Sequence, residues 1–259
     1  VEGDAEVRVQ HGQPVGAAYH FACLAGLAAG PPGDTLAHAF YCGDAPGRAA
    51  IAAALAAAGD MRHRALGSAR DGAGRRRVAE LASAIVSADG VVGLFQGRAE
   101  TGPRALGHRP ILANPSNPET LATLNRLVKY REAVRPLAPM ATLAAAQRLF
   151  DLAPGAAAAD YNAYNYMVLT ARAKPEARRL VPAVVHKDGT ARVQIVRAET
   201  DPVAHAILVA LGRRIGVEAC VNTSLNVGAP ICQTPEQALE TLRRSKGMRP
   251  GLTMRSARV

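Results

Sequence analysis

The sequence has 259 residues, a formal net charge of +10 and a pI of about 10.0. Its hydrophobic content of 49% excludes wholesale disorder and allows one large domain or two modest ones. No apolar run reaches the roughly 18 residues of a membrane span and no signal peptide opens the chain, so we expect a cytoplasmic protein without a membrane partner. The positive charge suits phosphorylated small molecules or nucleic acid, although solvated arginines account for it equally well.

The first 30 residues combine a strand-like start with an apolar helix of small residues, and the breaker cluster Gly30–Asp34 follows them. We place a domain boundary at this cluster. Residues 46–58 are rich in alanine and predict a helix, whereas the Gly- and Arg-rich residues 67–76 predict an exposed loop. Valine stands first instead of methionine, which favours a piece of a longer protein.

Apolar residues then recur at helical spacing over 78–86, which predicts an amphipathic helix. Residues 91–95 form a short apolar run that is typical of a buried strand. Two later helices have clear starts. Asn117 precedes a proline and an acid, and Thr234 opens a capping box with a proline at the first helical position.

In the last third of the chain, predicted helices and predicted strands alternate. Residues 203–215 predict an amphipathic helix and residues 217–221 a strand that follows it. Residues 181–185 and 191–196 predict two strands, joined by an Asp-Gly hairpin turn at 188–189. This alternation indicates an α/β or α+β fold.

Four cysteines occur, namely Cys23, Cys42, Cys220 and Cys232. They form no C-x-x-C pair and match no zinc spacing, so the sequence predicts no metal site in this chain. Free thiols in a reducing compartment are the expected state.

The most informative segment is the loop Gly97–Arg109, which mixes glycines with Arg98, Arg104 and Arg109. Glycine allows the backbone to approach a ligand closely, and the guanidinium fork of arginine matches phosphate oxygens. A loop of this kind that leaves a buried strand is typical of a ligand site in α/β folds. An ordinary surface loop with solvated arginines is the alternative.

A second charged segment runs from Lys129 to Pro136. If it is extended, Lys129 and Arg131 point to one face, and Pro136 biases Arg135 away from helix. Local ion pairs with Glu132 at the end of a helix are the alternative.

Two further polar segments complete the set. A hairpin tip would present His186, Arg192 and Gln194, although a lone histidine is more often structural than catalytic. Asn222 and the residues after it place short polar side chains behind an apolar strand, where they suit a ribose or phosphate. Such side chains also make ordinary turns by bonding their own backbone.

Taken together and in this order, the four segments resemble the C-terminal part of the NodU/CmcH carbamoyltransferase family, over about 36–242. The resemblance implies a YrdC-like domain over 34–259, with a twisted mixed sheet flanked by helices. It also implies that residues 1–33 are the tail of a preceding ASKHA-type domain, of the sugar-kinase and Hsp70-like superfamily, most of which is missing here. A metal-ligand aspartate expected in that tail is replaced within Gln10–Gly12.

The resemblance further implies a reaction. ATP, accompanied by Mg²⁺, and carbamoyl phosphate give carbamoyl-adenylate, and the carbamoyl group then passes to a hydroxyl of a small-molecule acceptor. The transfer step and an iron site belong to the missing N-terminal domain. Forming a mixed anhydride from two anions needs fixed cations and no protein nucleophile, which agrees with a chain rich in arginine.

Within the family pattern, Lys129-Tyr130-Arg131 matches a K-x-R motif and Ser224-Leu225-Asn226 an S-x-N motif. The resemblance implies catalytic roles for Lys129, Arg131 and Arg104. It implies substrate or nucleotide binding for a larger set: Arg98, Arg109, Arg135, His186, Arg192, Asn222, Ser224 and Asn226.

Two other interpretations stay open. A basic, YrdC-like module that binds RNA is one, but aromatic residues are only 4% of the chain and do not alternate with the arginines, so specific nucleic-acid binding is not expected. A truncated, inactive homologue that binds nucleotide without turnover is the other.

Overall fold

The structure is a computed structural model that describes residues 40–41, 43–59, 61–68, 71–102, 104–132, 134–158 and 162–248, together with the backbone of 252–254. The segment predicted to be the tail of a preceding domain, 1–33, lies outside the described residues, as do Cys23 and Cys42. The predicted domain boundary therefore stays a prediction.

The described elements alternate between helices and strands. In chain order they are α1 Arg48–Ala57, α2 Gly72–Ser87, β1 Val92–Phe95, β2 Pro110–Ala113, α3 Thr120–Thr123, β3 Ala138–Thr142, α4 Leu143–Leu149, β4 Phe150–Asp151, β5 Ala171–Ala173, α5 Pro175–Leu180, β6 Thr190–Ala191, β7 Gln194–Val196, α6 Pro202–Ile215, β8 Ala219–Ser224, α7 Pro235–Arg244 and β9 Leu252–Met254. A π-helical segment, Leu124–Lys129, continues α3, and 3₁₀ turns occupy Ala163–Tyr166 and Pro182–Val184.

The main sheet has six strands in the order β7-β3-β8-β2-β1-β9. The pairs β3–β7 and β1–β9 are parallel and the other three pairs are antiparallel. A smaller antiparallel sheet contains β4, β5 and β6. The expectation of a mixed sheet flanked by helices is confirmed.

Successive strand residues point to opposite faces of the sheet, and each face has its own hydrophobic core. On one face, α2 and α6 pack over Leu112, Met140 and Cys220. On the other face, the core that contains Ile111 and Val221 also includes residues of α4 and of the π-helical segment. Burying a side chain of this size stabilises the fold by roughly 1.5–3 kcal/mol, so the two cores fix the strand order and register.

Three predictions about local structure were wrong. Residues 67–76 are not all loop, because α2 begins at Gly72 with the Asp71 carboxylate accepting a hydrogen bond from Gly74 N. Residues 181–185 form a 3₁₀ turn rather than a strand. The predicted strand 191–196 is divided between the two sheets, since Thr190–Ala191 pairs with β5 and Gln194–Val196 pairs with β3. The Asp-Gly turn itself is present, since His186 N donates to Thr190 O at 2.7 Å.

Other boundaries moved only slightly. The helix predicted to begin after Asn117 starts at Thr120, and the Asn117 side chain accepts from Glu119 N at 2.9 Å. The capping box at Thr234 is present, as is the helix Pro202–Ile215, which starts at its Asp201 cap. Among the described helices, none combines the length and apolar character needed to cross a membrane.

The topology brings all four charged or polar segments to one end of the sheet. The loop Gly97–Arg109 joins the end of β1 to the start of β2, and Ser224 at the end of β8 pairs with Pro110. The starts of β3 and β7 lie at this same end, because Ala138 pairs with Asn222 and the two strands run parallel. Residues far apart in sequence therefore meet there.

The start of α2 generates a stability prediction. A Cβ on Gly74 would overlap the carbonyl oxygen of Ser68, whereas a Cβ on Gly72 would meet only the end of the Arg76 side chain, at 3.4 Å. We expect Gly74→Ala to lower the free energy of unfolding by about 1–3 kcal/mol, and Gly72→Ala to raise it by up to roughly 1 kcal/mol. Urea unfolding of both variants measures the difference, and equal stabilities would contradict this account of how α2 begins.

Candidate functional site

Lys129 is joined to the end of β8, 95 residues further along the chain. Its Nζ donates hydrogen bonds to Ser224 O at 2.6 Å, to Asn226 O at 3.0 Å and to Ser224 Oγ at 3.3 Å, and it also bonds Asn226 Oδ1. Ser224 Oγ in turn donates to Asn226 Oδ1 at 2.7 Å. The two short motifs singled out in the sequence therefore form a single assembly around one ammonium group.

The backbone around Lys129 is helical, so the extended conformation that would point Lys129 and Arg131 to one face is not present at Lys129. Lys129 ends the π-helical segment, and Tyr130 adopts a left-handed conformation with φ +49°. Leu124 and Val128 are buried in the core and hold this helix against the sheet. Tertiary packing, and not strand alternation, therefore directs Lys129 towards β8.

Asn125 holds the two arginines that follow Lys129. Its Oδ1 accepts from Arg131 Nε at 2.7 Å, and its Nδ2 donates to Arg135 O at 3.0 Å. Arg131 N also donates to Asn125 O at 3.0 Å. The Asn125 side chain is fully buried. The sequence analysis did not identify this residue, because a helical asparagine carries no signal that it will bond a segment six residues away.

Five cations share this end of the sheet, and we call them the cation cluster: Lys129, Arg131, Arg135, Arg104 and Arg192. Repulsion by neighbouring cations lowers the pKa of Lys129, Arg131, Arg104 and Arg192, with burial the larger cause in each of these four.

Burial and Arg131 lower the pKa of Lys129 to about 7, while its four oxygen acceptors stabilise the ammonium and act in the other direction. Burial and Arg104 lower the pKa of Arg192 to about 10. Arg104 is exposed, yet partial burial of its guanidinium and repulsion by Arg135 lower its pKa as well. Each cation of the cluster is thus a neighbour of at least one other.

The cluster is poorly neutralised from within. Glu132 approaches Arg135 at 3.9 Å, but both side chains are largely exposed, so this pair contributes little. Arg192 Nε is buried and has no hydrogen-bond partner among the described residues. Crowding like charges destabilises a folded chain, and a bound anion would offset that repulsion. The arrangement is that of a site for phosphates or other anions.

The remaining predicted residues make their contacts elsewhere. Arg98 is exposed and its Nε donates to Tyr41 O at 2.9 Å. Arg109 is fully buried over the Phe95 ring, 3.7 Å from its centroid, and its guanidinium bonds the carbonyl oxygens of Gln96, Gly97 and His108. We therefore interpret Arg109 as a support of its loop.

His186 and Asn222 also bond neighbouring protein groups. His186 Nδ1 lies 3.2 Å from Thr190 Oγ1 within its own turn. Asn222 Nδ2 donates to Ala105 O and to Gln194 Oε1, both at 2.7 Å. The structure thus brings together Lys129, Arg131, Arg135, Arg104, Arg192, Ser224 and Asn226.

Glu100 organises the loop that carries Arg104, and the sequence analysis did not identify it. Its buried carboxylate accepts hydrogen bonds from Leu106 N at 2.6 Å, His108 N at 2.8 Å and Arg109 N at 3.0 Å. Burial raises the pKa of Glu100 to about 7, while the three amides and Arg109 act in the other direction. The sequence signal that could have identified Glu100 is that it is the one acidic residue in the loop Gly97–Arg109.

A comparison of the sequence with known protein families gives a match over the segments that form this assembly. The family model described as "Carbamoyltransferase C-terminus" matches residues 83–250, which include the whole cation cluster. This chain belongs to that family.

The carbamoyltransferase C-terminal family includes relatives of different sizes and names. The chain is 39% identical over 152 residues to nodulation protein NolO of Bradyrhizobium diazoefficiens, which is 58% of this chain and 27% of that protein. It is 38% identical over 136 residues to 3'-hydroxymethylcephem-O-carbamoyltransferase of Amycolatopsis lactamdurans, which is 52% of this chain and 24% of that protein. The chain thus spans about a quarter of the length of the curated relatives that it matches.

A solved structure also resembles part of this family member. The crystal structure of full-length HypF in its phosphate- and nucleotide-bound form is 21% identical, with a TM-score of 0.46. The similarity covers 68% of this chain and 24% of HypF.

The pKa of Lys129 generates a prediction for this carbamoyltransferase domain. A group with a pKa of about 7 is largely neutral at pH 8, and a bound anion favours its charged form, so binding draws in a proton. We expect the affinity for inorganic pyrophosphate to fall as pH rises from 7 to 9, and up to about one proton to be taken up at pH 8. Calorimetry in buffers of different ionisation enthalpy measures that uptake.

Lys129→Met is the matched control, because the ionisation of pyrophosphate itself is the same with both proteins. The variant is expected to lose the excess proton uptake. Equal proton uptake by wild type and variant would contradict the assignment of the titrating group.

Glu100 generates a second prediction. Glu100→Gln turns one acceptor oxygen towards the loop into an NH₂ group, which opposes a backbone N–H. We expect the free energy of unfolding at pH 8 to fall by about 1–3 kcal/mol. Glu199→Gln, at an exposed glutamate, is the control and should change stability by less than about 0.5 kcal/mol. Similar urea midpoints for the two variants would show that Glu100 does not hold the loop.

Proposed function

We propose that this chain contains the site at which an O-carbamoyltransferase forms carbamoyl-adenylate from ATP and a carbamoyl donor. The observation that carries the proposal is the cation cluster, in which Lys129 is bound by Ser224 and Asn226 and four arginines add positive charge at the same end of the sheet. The family match over residues 83–250 supports the carbamoyl chemistry.

The proposed reaction has two balanced steps. Water first releases carbamate and phosphate from carbamoyl phosphate. A carbamate oxygen then forms a bond to the α-phosphorus of ATP, the bond from that phosphorus to the bridging oxygen breaks, and pyrophosphate leaves with both electrons. The product is the mixed anhydride carbamoyl-adenylate. Two anions meet in the second step, so fixed positive charge is the main requirement and no protein nucleophile is needed.

We assign the residues different roles in this reaction according to their positions. We propose that Lys129, Arg131 and Arg104 contact the reacting phosphates and the carbamate, and that Arg135 and Arg192 bind outlying oxygens. The oxygens of Ser224 and Asn226 are engaged by Lys129, so their first contribution is to position the ammonium. The adenylate would lie against the same segment.

The cluster does not supply a Mg²⁺ site. Its side chains are cationic, and the described residues contain no group of three His, Cys, Asp or Glu side chains that could hold a metal ion. Mg²⁺ that arrives with ATP would be held through the phosphates, and no step is assigned to it here.

The rest of the reaction is proposed for the part of the protein outside this chain. The name of the cephem relative specifies an O-carbamoyltransferase for a hydroxymethyl group, which supports a hydroxyl of a small molecule as the acceptor. We propose that the acceptor, the carbamoyl transfer and an iron site belong to a preceding domain.

The experiment is incubation of the 259-residue chain with ATP and carbamoyl phosphate, followed by measurement of pyrophosphate release and detection of the adenylate by mass. We expect Lys129→Ala and Arg131→Ala each to lower the rate of pyrophosphate release by about 100-fold or more, since each removes a fixed charge from the transition state. Lys174→Ala is the control, because Lys174 Nζ bonds Gln147 O beside the smaller sheet. Full activity of Lys129→Ala, or equal losses in all three variants, would refute the proposal.

A further inference from the structure

The side-chain amides of Gln194 and Asn222 meet across a strand. Gln194 begins β7, Asn222 lies near the end of β8, and β3 runs between them. Asn222 Nδ2 donates to Gln194 Oε1 at 2.7 Å, and both side chains are buried. They lie on the same face of the sheet, because Asn222 pairs with Ala138 and Gln194 pairs with Met140, two residues further along β3.

This amide pair binds two consecutive carbonyl groups of the loop above it. Asn222 Nδ2 donates to Ala105 O and Gln194 Nε2 donates to Leu106 O, each at 2.7 Å. Both loop residues are buried, so their carbonyl oxygens need partners inside the protein. Glu100 holds Leu106 N from the other side at 2.6 Å. The Tyr41 hydroxyl also donates to Leu106 O at 3.2 Å, so four side chains bind the backbone directly after Arg104.

The same pair links two arginines that repel each other. Arg104 precedes Ala105 by one residue, and Arg192 precedes Gln194 by two. The hydrogen bond from Gln194 to Leu106 O therefore ties the backbone that carries Arg104 to the strand that follows Arg192. Without such a tie, repulsion between like charges would favour movement of the backbone that carries Arg104 away from β7.

We propose that Gln194 and Asn222 are positioning residues, which hold Arg104 within the cation cluster and do not themselves contact the substrate. This role reinterprets Asn222, which the sequence pattern favoured as a ligand contact. The expected effect of these residues on substrate binding and catalysis rests on the proposed function. Their expected effect on the stability of the loop does not.

The first measurement is hydrogen exchange of the full 259-residue chain in peptides that cover 99–108. Gln194→Leu removes both amide contacts at little change in volume, and we expect loop amides such as Leu106 N to exchange about tenfold faster. Cys220→Ala is the matched control, because Cys220 lies on the same strand and face as Asn222, is equally buried, and bonds Ala113 O instead of the loop. That variant is expected to leave exchange of the loop unchanged.

A swap tests whether the pair itself is responsible. The double variant Gln194→Asn with Asn222→Gln keeps both amides and the total side-chain length across β3. We expect it to restore slower exchange relative to Gln194→Leu. Unchanged loop exchange in Gln194→Leu, or equal acceleration in Cys220→Ala, would overturn the inference.

The second measurement is the affinity for inorganic pyrophosphate in a double-mutant cycle. We expect Gln194→Leu to weaken binding by about tenfold in the wild-type background and to have no further effect once Arg104→Ala is present. A purely structural role predicts instead the same loss in both backgrounds, and that result would also overturn the inference. If the wild-type chain binds no pyrophosphate, the proposed function fails, while the exchange experiment still decides whether the amide pair holds the loop.

Discussion

Repulsion among like charges is the constraint on which this structure depends. Lys129 and four arginines lie at one end of a mixed sheet, and each of the groups whose pKa is lowered is affected by at least one other cation in the cluster. Neutral oxygens, and not carboxylates, surround the Lys129 ammonium. The ammonium is therefore held in place while the site stays positive, which is the condition for attracting phosphorylated substrates.

Three separate sets of buried polar side chains hold the segments that carry the arginines. Glu100 binds the amides of the loop, Asn125 binds Arg131 and the backbone of the segment after it, and the Gln194–Asn222 pair binds the carbonyls next to Arg104. None of them carries net positive charge, so they fix the arginines without adding to the repulsion. Each is anchored in a core element or directly beside one, which explains why the loop can hold the exposed Arg104 side chain in a defined position.

The sequence by itself predicted the class of fold, the main helices and the protein family. Hydrophobic spacing predicted the helices at 78–86 and 203–215 and the strand at 91–95, because burial of one face or one stripe has a local period. The motifs at Lys129 and Ser224, taken with the charged loop, predicted the carbamoyltransferase family, and the family match confirms it. Lys129 does contact Ser224, whereas Arg98 and Arg109 of the predicted set make their contacts elsewhere.

Only the tertiary structure decided how the site is held. Leu124 and Val128 pack into the core and hold the π-helical segment against the sheet, and the local sequence did not show that this segment directs Lys129 towards β8. Arg109 matches the arginines around it in sequence, yet it is buried over an aromatic ring while Arg104 remains exposed. Partners such as Gln194 and Leu106 lie 88 residues apart. Local sequence fixes local geometry, whereas contacts between distant segments depend on strand order, which is set by packing of the whole core.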